Sequence, residues 1–255
     1  MSRPEVVVHR DGDLLAAAAA ARLVTGLVDA QHERGSASLV LTGGRTGAAV
    51  LRHLRDTPAR DAVDWSRVDL YWGDERFLPA GHPDRNETQA REAFLDHVPV
   101  PAARVHVVEP SDGRFGDDPE AAAEAYAAEL LAAGGGSAPS FDVCLLGVGE
   151  EGHVASIFPA SPAVRERERA VVAVRDCPKP PPTRVSLTLP AIRAAREVWL
   201  MTTGSAKAGA VATGLTGADE VDLPAAGALG RQRTLWLLDS AAAAEAPDLF
   251  TPPSD

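Results

Sequence analysis

A histidine closes a glycine-rich turn in the middle of the chain, Gly147-Val148-Gly149-Glu150-Glu151-Gly152-His153. The turn follows Phe141–Leu146, a near-continuous apolar run that predicts a strand buried on both faces. Because a histidine titrates near neutral pH, it is a natural general base for activating water. We predict that His153 is catalytic and stands at the start of a short helix, flanked by acids. The other six histidines lack such a setting.

The same glycine spacing also fits a dinucleotide-binding loop, Gly-x-Gly-x-x-Gly after a strand. Asp176 could then serve as the acid that binds the ribose. However, Glu150 and Glu151 lie inside the turn, where they would repel a pyrophosphate, and Pro159 would interrupt the following helix. The turn also lies behind four other predicted strands. We therefore favour a hydrolytic histidine.

Two earlier loops carry groups suited to a phosphate. In Thr42-Gly43-Gly44-Arg45-Thr46-Gly47, glycines let backbone amides approach an anion, the next helix supplies its positive end, and Thr46 can cap that helix. In Asp74-Glu75-Arg76, Arg76 could grip a phosphate while Asp74 or Glu75 holds it. The alternative is an internal salt bridge that shapes the loop. For Glu75 we favour the structural role.

Two more cations lie near later strands. Arg184 is a lone cation entering an apolar stretch, and Lys207 opens a helix after the strand that ends at Thr202. A lysine in the first turn opposes the helix dipole slightly, which suggests another reason for its presence. In open parallel sheets, ligands bind beyond the carboxyl ends of strands. The polar, glycine-rich segments of this chain fall repeatedly in that region.

An alternation of apolar strands and helices positions these loops. The βαβα order predicts an α/β fold with a mostly parallel sheet and helices on both faces, in a single domain over residues 1–246 with a flexible tail at 247–255. Predicted strands are 6–9, 38–41, 68–72, 105–108, 141–146, 171–174, 198–202 and 235–238. Predicted helices are 13–33 closed by Gly35, a helix reaching about Leu54, 87–97 and 119–133.

Composition narrows the functional classes. The net charge is −11 and no Lys/Arg-rich run occurs, which argues against nucleic acid, although local cations can bind a small anion. Any such site would be basic within an acidic surface. No apolar run spans a membrane, and no signal-peptide layout is present. Cys144 and Cys177 form no Cys-x-x-Cys pair, which argues against a zinc site and fits small core residues in a reducing cytoplasm.

Taken together, these loops resemble the 6-phosphogluconolactonase family. The resemblance runs from about residue 5 to residue 240. Its matching segments are Thr42–Thr46, Trp72–Arg76, His82–Asn86, Gly147–Pro159 and Arg184–Thr188.

The resemblance implies hydrolysis of 6-phosphoglucono-δ-lactone to 6-phosphogluconate in the oxidative pentose phosphate pathway. It implies a Rossmann-like fold without metal or other cofactor, and we expect a monomer or weak homodimer whose partner is a sugar-phosphate substrate. His153 would be the base, with Glu151 standing where the family usually has Asp. The implied substrate-binding residues are Gly43, Gly44, Arg45, Thr46, Asp74, Arg76, Asn86, Arg184 and Lys207.

Glucosamine-6-phosphate deaminases are the nearest alternative. They are similar up to Gly-His-x-Ala but continue Phe-Asn-Glu-Pro, with Phe158 of this chain at the Glu position. They also prefer Asp-Glu-Tyr where this chain has Arg76. Both differences favour the lactonase. A non-catalytic sugar-phosphate sensor would use the same anion loops, and a serine acyl-enzyme is disfavoured because no Gly-x-Ser-x-Gly occurs.

Overall fold

The computed structural model describes residues 4–134 and 140–246. The tail predicted at 247–255 lies outside the described residues. Six strands form a parallel sheet: β1 (Glu5–His9), β2 (Ala37–Leu41), β3 (Val68–Trp72), β5 (Val143–Gly147), β8 (Glu197–Thr202) and β9 (Arg233–Asp239). Their order across the sheet is β1-β9-β8-β5-β2-β3.

Helices cover both faces of this sheet because its strands are apolar on both faces. In β2, Leu39 and Leu41 belong to one core and Val40 to the other. One face packs against α1 (Gly12–Arg34), α2 (Gly44–Asp56) and α3 (Asn86–Ala93), and the other against α4 (Pro119–Ala133), α5 (Leu189–Arg193), α6 (Ala208–Leu215) and α7 (Pro224–Gly227). The predicted fold class is confirmed.

A second, smaller sheet is antiparallel and was not expected as a separate unit. It consists of β4 (Asp74–Arg76), β7 (Arg184–Leu187) and β6 (Val171–Val174), in the order β4-β7-β6. The predicted strand at 171–174 belongs here and not to the parallel sheet. Because β4 follows β3 after the single residue Gly73, the small sheet begins at the carboxyl end of the large one.

The strand predicted at 105–108 is wrong. The backbone contacts between this segment and the sheet are a bridge between Val105 and Leu70 and a hydrogen bond from His106 N to Leu70 O. The His106 ring stacks on Tyr71 at 4.3 Å and binds the Asp69 carboxylate, so side chains attach the segment where a strand would use its backbone. The helix predicted at 87–97 ends as α3 at residue 93, and a 3₁₀ turn follows at 95–97.

The direction in which the sheet is built reverses between β2 and β5. The chain passes from β2 outward to β3 at one edge, and from β5 outward through β8 and β9 toward the other edge. The loops that leave the carboxyl ends of β2 and β5 therefore diverge and open a crevice, which is where α/β sheets of this kind bind their ligands. Both predicted glycine loops, at 42–47 and 147–153, flank this crevice.

A buried carboxylate ties the small sheet to α3. Glu75 accepts hydrogen bonds from the backbone amides of Arg76 at 2.7 Å, Asn86 at 2.7 Å and Glu87 at 2.9 Å. The last two amides open α3, where they have no partner within the helix. Burial raises the pKa of Glu75 to about 7, and the fully buried Arg85, 3.8 Å away, acts in the opposite direction. This is the structural role expected for Glu75.

Arg85→Met tests this buried network. The guanidinium also donates to the carbonyls of Leu78 at 3.1 Å and Val108 at 2.7 Å. Its loss leaves these two carbonyls without that buried donor and removes the cation beside Glu75, so we expect the free energy of unfolding to fall by about 3–5 kcal/mol in urea denaturation. Arg91→Met, on the same helix but half-exposed, should cost less than about 1 kcal/mol. A similarly small loss in both variants would contradict the assignment.

Candidate active site

The crevice holds a cleft of about 200 Å³ that brings together eight of the predicted site residues: Gly43, Gly44, Asp74, Arg76, Asn86, His153, Arg184 and Lys207. Three others lie outside its lining: Arg45, Thr46 and Glu151. The cleft also contains groups that sequence analysis did not assign to it, among them Thr42, Glu150 and Lys179. Its cations come from four different loops and strands, which only the folded chain brings together.

His153 lies in a turn and does not start a helix as predicted. Its carbonyl accepts a hydrogen bond from Gly149 N at 2.9 Å, and Val154 bridges to Val148 and Ile157. Ala155 has φ of 50°, which a right-handed helix excludes. The turn therefore folds back on itself and presents the imidazole to the cleft.

Burial and a stacked ring shape the environment of the His153 side chain. The imidazole packs against Phe158 with ring centroids 4.4 Å apart, and only 16% of the side chain is exposed. Burial lowers the pKa of His153 below its ordinary value, against the raising effects of Glu151 and Asp74. The neutral ring is therefore the main form at neutral pH, as a general base requires.

Glu151 does not line the cleft but contacts two residues that do, His153 and Lys179. Its Oε1 is 3.1 Å from His153 Nδ1, although no described residue has hydrogen-bond geometry with this buried nitrogen. Its Oε2 accepts a hydrogen bond from Lys179 Nζ at 2.8 Å. Burial acts to raise the pKa of Glu151, but Lys179 and the other nearby donors outweigh it and lower the pKa. Glu151 is thus a carboxylate that faces His153 and is neutralised by Lys179.

Lys179 is the functional candidate that sequence analysis missed. It lies in the proline segment at 178–182, to which the sequence motifs assign no role. The sequence did offer an indication: the chain has 25 Lys and Arg residues, of which only Lys179 and Lys207 are lysines. Both line the cleft.

Asp74 joins the small sheet to the histidine turn and to α3. Its Oδ2 accepts a hydrogen bond from Ser156 Oγ at 2.7 Å, and its backbone carbonyl accepts one from Asn86 Nδ2 at 2.8 Å. Arg184, which pairs with Arg76 across β4 and β7, has its NH1 nitrogen 3.8 Å from Asp74 Oδ2. The buried carboxylate therefore fixes several groups that line the cleft.

Arg76 is held differently from the prediction. Its Nη1 donates to the carbonyl of Asp84 at 2.6 Å, so a backbone oxygen and not the Asp74 or Glu75 carboxylate orients it. The guanidinium consequently keeps its positive charge unpaired by those two acids and lines the cleft. This favours an anion ligand for Arg76 over an internal salt bridge.

The glycine loop delivers its backbone to the cleft through Gly43 and Gly44. A side chain at position 43 would collide with Asn86 Oδ1, so only glycine allows this close approach. Thr46 does not cap α2, which begins at Gly44 with Gly43 as the capping residue, and its Oγ1 lies 3.3 Å from Thr203 Oγ1. Arg45 is exposed and lines a neighbouring groove.

Lys207 occupies the N-terminal boundary of α6, at the end of a 3₁₀ turn. Burial lowers its pKa, and the nearby cations Lys179 and Arg45 lower it further. A cation placed where both burial and like charge disfavour it indicates an anionic ligand. The cleft as a whole carries four cations, Arg76, Lys179, Arg184 and Lys207, against the carboxylates of Asp74 and Glu150. The basic site expected within an acidic surface is therefore present.

The described residues hold no group of His, Cys, Asp and Glu side chains suited to a metal ion. Cys144 and Cys177 are free buried thiols. Among the helices at 4–134 and 140–246, none is long and apolar enough to cross a membrane.

A parallel sheet with a basic cleft at its reversal point and a buried neutral histidine defines an α/β enzyme for a small anionic substrate. The chain belongs to the glucosamine-6-phosphate isomerase/6-phosphogluconolactonase family, whose profile matches residues 10–236. The family predicted from the sequence motifs is confirmed.

Named relatives span nearly the whole chain. A 6-phosphogluconolactonase from Streptomyces coelicolor is 62% identical over 255 residues, covering 98% of each chain. One from Mycobacterium tuberculosis is 54% identical over 244 residues, covering 95% of this chain and 98% of the relative. The solved 6-phosphogluconolactonase of Trypanosoma brucei has a TM-score of 0.83 at 28% identity, covering 97% of this chain and 100% of that one.

Gly149→Ala tests the packing of the histidine turn. A Cβ at this position would collide with the Nδ1 edge of the His153 ring, so the imidazole must move. We expect kcat to fall by about 10²-fold, the effect of a misplacement of about 1 Å in an active site, while the melting temperature changes little. Gly26→Ala is the matched control, because its Cβ meets nothing within 4 Å on α1. Unchanged kcat in Gly149→Ala would contradict this placement of the ring.

Proposed function

We propose that this chain hydrolyses 6-phosphoglucono-δ-lactone to 6-phosphogluconate, with His153 as the general base. The relatives named above support the activity, since they are 6-phosphogluconolactonases matched over nearly their full length. The observation that carries the mechanism is a single cleft with a buried neutral imidazole and four cations. A cytoplasmic location and a monomer or weak homodimer stay predictions.

In this mechanism, His153 Nε2 takes a proton from a water molecule as the water oxygen attacks the lactone carbonyl carbon, C1. Nδ1 is buried beside the Glu151 carboxylate, which leaves Nε2 as the nitrogen available to the cleft. General base assistance of this kind contributes about 10²–10⁴-fold. Glu151 then stabilises the imidazolium that forms.

The tetrahedral intermediate collapses by breaking the bond between C1 and the ring oxygen. The imidazolium returns its proton to that oxygen, so the ring opens to an alcohol and a carboxylic acid and the histidine is neutral again. The acid then releases its proton to solvent and leaves as the carboxylate. Backbone amides of the glycine turns are the candidate donors to the oxyanion, each worth about 2.7–4 kcal/mol in such sites.

The phosphate of the substrate is assigned to Lys207, Arg76 and the backbone amides of Gly43 and Gly44. Gly43 and Gly44 lie at the N-terminal end of α2 and Arg76 on β4, whereas Lys207 lies at the N-terminal boundary of α6. All four residues line the cleft. Helix N-termini and guanidinium groups are standard phosphate ligands. Arg184 lies beside them, and it also donates to the carbonyls of Lys179 and Pro181.

The ring of Phe158 favours hydrolysis over the deaminase alternative. It stacks on His153 at 4.4 Å, at the position where the deaminase motif has its Glu. A phenyl ring cannot relay a proton, whereas it can help exclude water from one face of the base. A non-catalytic sensor has no need of a base with a lowered pKa, so this histidine also favours an enzyme.

His153→Asn tests the base assignment. The amide is similar in size but cannot accept the proton, so kcat on freshly prepared lactone should fall by about 10²–10⁴-fold while KM changes little. Lactone turnover is measured with the spontaneous rate subtracted, beside deaminase turnover on glucosamine 6-phosphate. Near-wild-type kcat in a folded variant would show that another group is the base.

Arg76→Ala and Lys207→Met test the phosphate assignment. Loss of a charged donor should raise KM for the phosphorylated lactone by roughly ten- to hundredfold, the equivalent of about 1.5–3 kcal/mol. Residual turnover of unphosphorylated glucono-δ-lactone should hardly change, because that substrate lacks the group being bound. An equal effect on both substrates would assign these cations to the reacting end of the molecule.

A further inference from the structure

Nearly all the basic Lys and Arg positions of this protein are occupied by arginine. Of its 25 Lys and Arg residues, 23 are arginines and two are lysines. Both lysines lie among the four cations of the one cleft. Lys207 has a role in the proposed function as a phosphate ligand, whereas Lys179 has none. The retention of an ammonium at position 179 therefore requires its own explanation.

Lys179 stands in a chain of three side chains that ends at the base. Its Nζ is 2.8 Å from one oxygen of Glu151, and the other oxygen of Glu151 is 3.1 Å from His153 Nδ1. The backbone at Lys179 is held as well, because the Arg184 guanidinium donates to the carbonyls of Lys179, Pro180 and Pro181 at 3.0, 3.2 and 3.1 Å. Lys179 is thus held by Glu151 at its ammonium and by Arg184 at its backbone.

We propose that Lys179 is a positioning residue: it fixes the Glu151 carboxylate against the Nδ1 edge of His153 and offsets its charge, so that the ring stays neutral with Nε2 toward the cleft. The proposal rests on the proposed lactonase function and adds the residue that keeps the His153 base neutral and oriented. Lys179 acts here through Glu151 and not on the lactone.

The choice of lysine over arginine follows from the geometry of the contact. An ammonium is a compact charge that binds one carboxylate oxygen and leaves Oε1 of Glu151 for the histidine. A guanidinium binds both oxygens of a carboxylate in a fork and would draw Oε1 away from the ring. This difference in geometry accounts for a lysine at position 179 in a chain that has arginine at 23 other positions.

The charges around His153 explain why the offset matters. The imidazole faces Glu151 from its own turn, Lys179 from the proline segment and Asp74 from β4, while Glu150, Arg76, Arg184 and Lys207 line the same cleft. Glu151 and Asp74 raise the pKa of His153, and Lys179 lowers it. Without Lys179 the two carboxylates act unopposed by that ammonium, so the ring would hold a proton at a higher pH and lose its function as a base there.

The experiment compares the pH dependence of kcat/KM in wild type, Lys179→Met and Glu151→Gln. Lys179→Met should move the acid limb to higher pH: within about threefold of wild type at pH 8, and lower by about tenfold or more at pH 6. Glu151→Gln should move the limb to lower pH, because Lys179 is then unopposed, with a lower plateau from the lost orientation. Lys179→Arg keeps the charge, so it should keep the limb while lowering kcat.

Arg175→Met is the matched control, because Arg175 lies four residues before Lys179 in the sequence and forms an exposed ion pair with Glu120. It should leave the profile unchanged. A uniform loss in Lys179→Met at every pH, with the limb in place, would overturn the proposal and leave Lys179 a structural role. Wild-type kcat in Lys179→Arg would overturn the requirement for an ammonium.

NMR titration of the His153 ring provides a readout that does not depend on turnover. The resonance is assigned by its absence in His153→Asn. A higher midpoint in Lys179→Met than in wild type is the expected result, and an unchanged midpoint overturns the proposal. If wild type fails to hydrolyse the lactone, the proposed function fails, while this titration still decides whether Lys179 controls the histidine.

Discussion

The reversal of strand order between β2 and β5 is the constraint on which the site depends. Loops that leave two adjacent parallel strands in opposite directions expose their backbone amides to the space between them. In this protein those loops are the Gly43–Gly44 turn and the turn from Gly147 to His153. Glycine is required at position 43 because a Cβ there would collide with the Asn86 side chain. The topology makes the cleft, and the loop residues give it chemistry.

The small antiparallel sheet supplies what the reversal point lacks, namely charged side chains over the crevice. Asp74 is the centre of this addition, with Ser156 and Asn86 as hydrogen-bond partners and Arg184 close by. A buried carboxylate is stable only when such partners replace its water. Since its partners come from separate segments, Asp74 fixes their relative positions before a substrate arrives. This is preorganisation of the kind that electrostatic catalysis requires.

Much of this arrangement was predictable from sequence, because residue type and spacing carry local information. A histidine in a glycine turn after an apolar strand pointed to His153, and the βα alternation pointed to the sheet and to α1, which ends at Gly35 in the left-handed conformation as expected. The helix predicted after His153 failed because the turn closes through its own backbone bond to Gly149. Periodicity contains no information on such a contact.

Errors at single residues have a similar cause. Arg45 and Thr46 follow Gly44 in the first turn of α2, where each step rotates the side chain by about 100° around the helix, so neither lines the cleft. Lys179 and Glu151 are 28 residues apart, and their contact exists only through the tertiary fold. The fold class can thus be predicted from local sequence patterns, whereas the partners of each catalytic group depend on contacts between loops that are distant in the sequence.

The four cations of the cleft sit in a protein of net charge −11, and this contrast shapes the encounter with the substrate. Within a Debye length of about 8 Å of the acidic surface a phosphorylated sugar meets a repulsive field, and attraction prevails only near the mouth of the crevice. Ring opening converts a neutral ester into a carboxylate and adds one negative charge. Once outside the cleft, the product is therefore repelled more strongly by the acidic surface than the substrate is, which disfavours its rebinding.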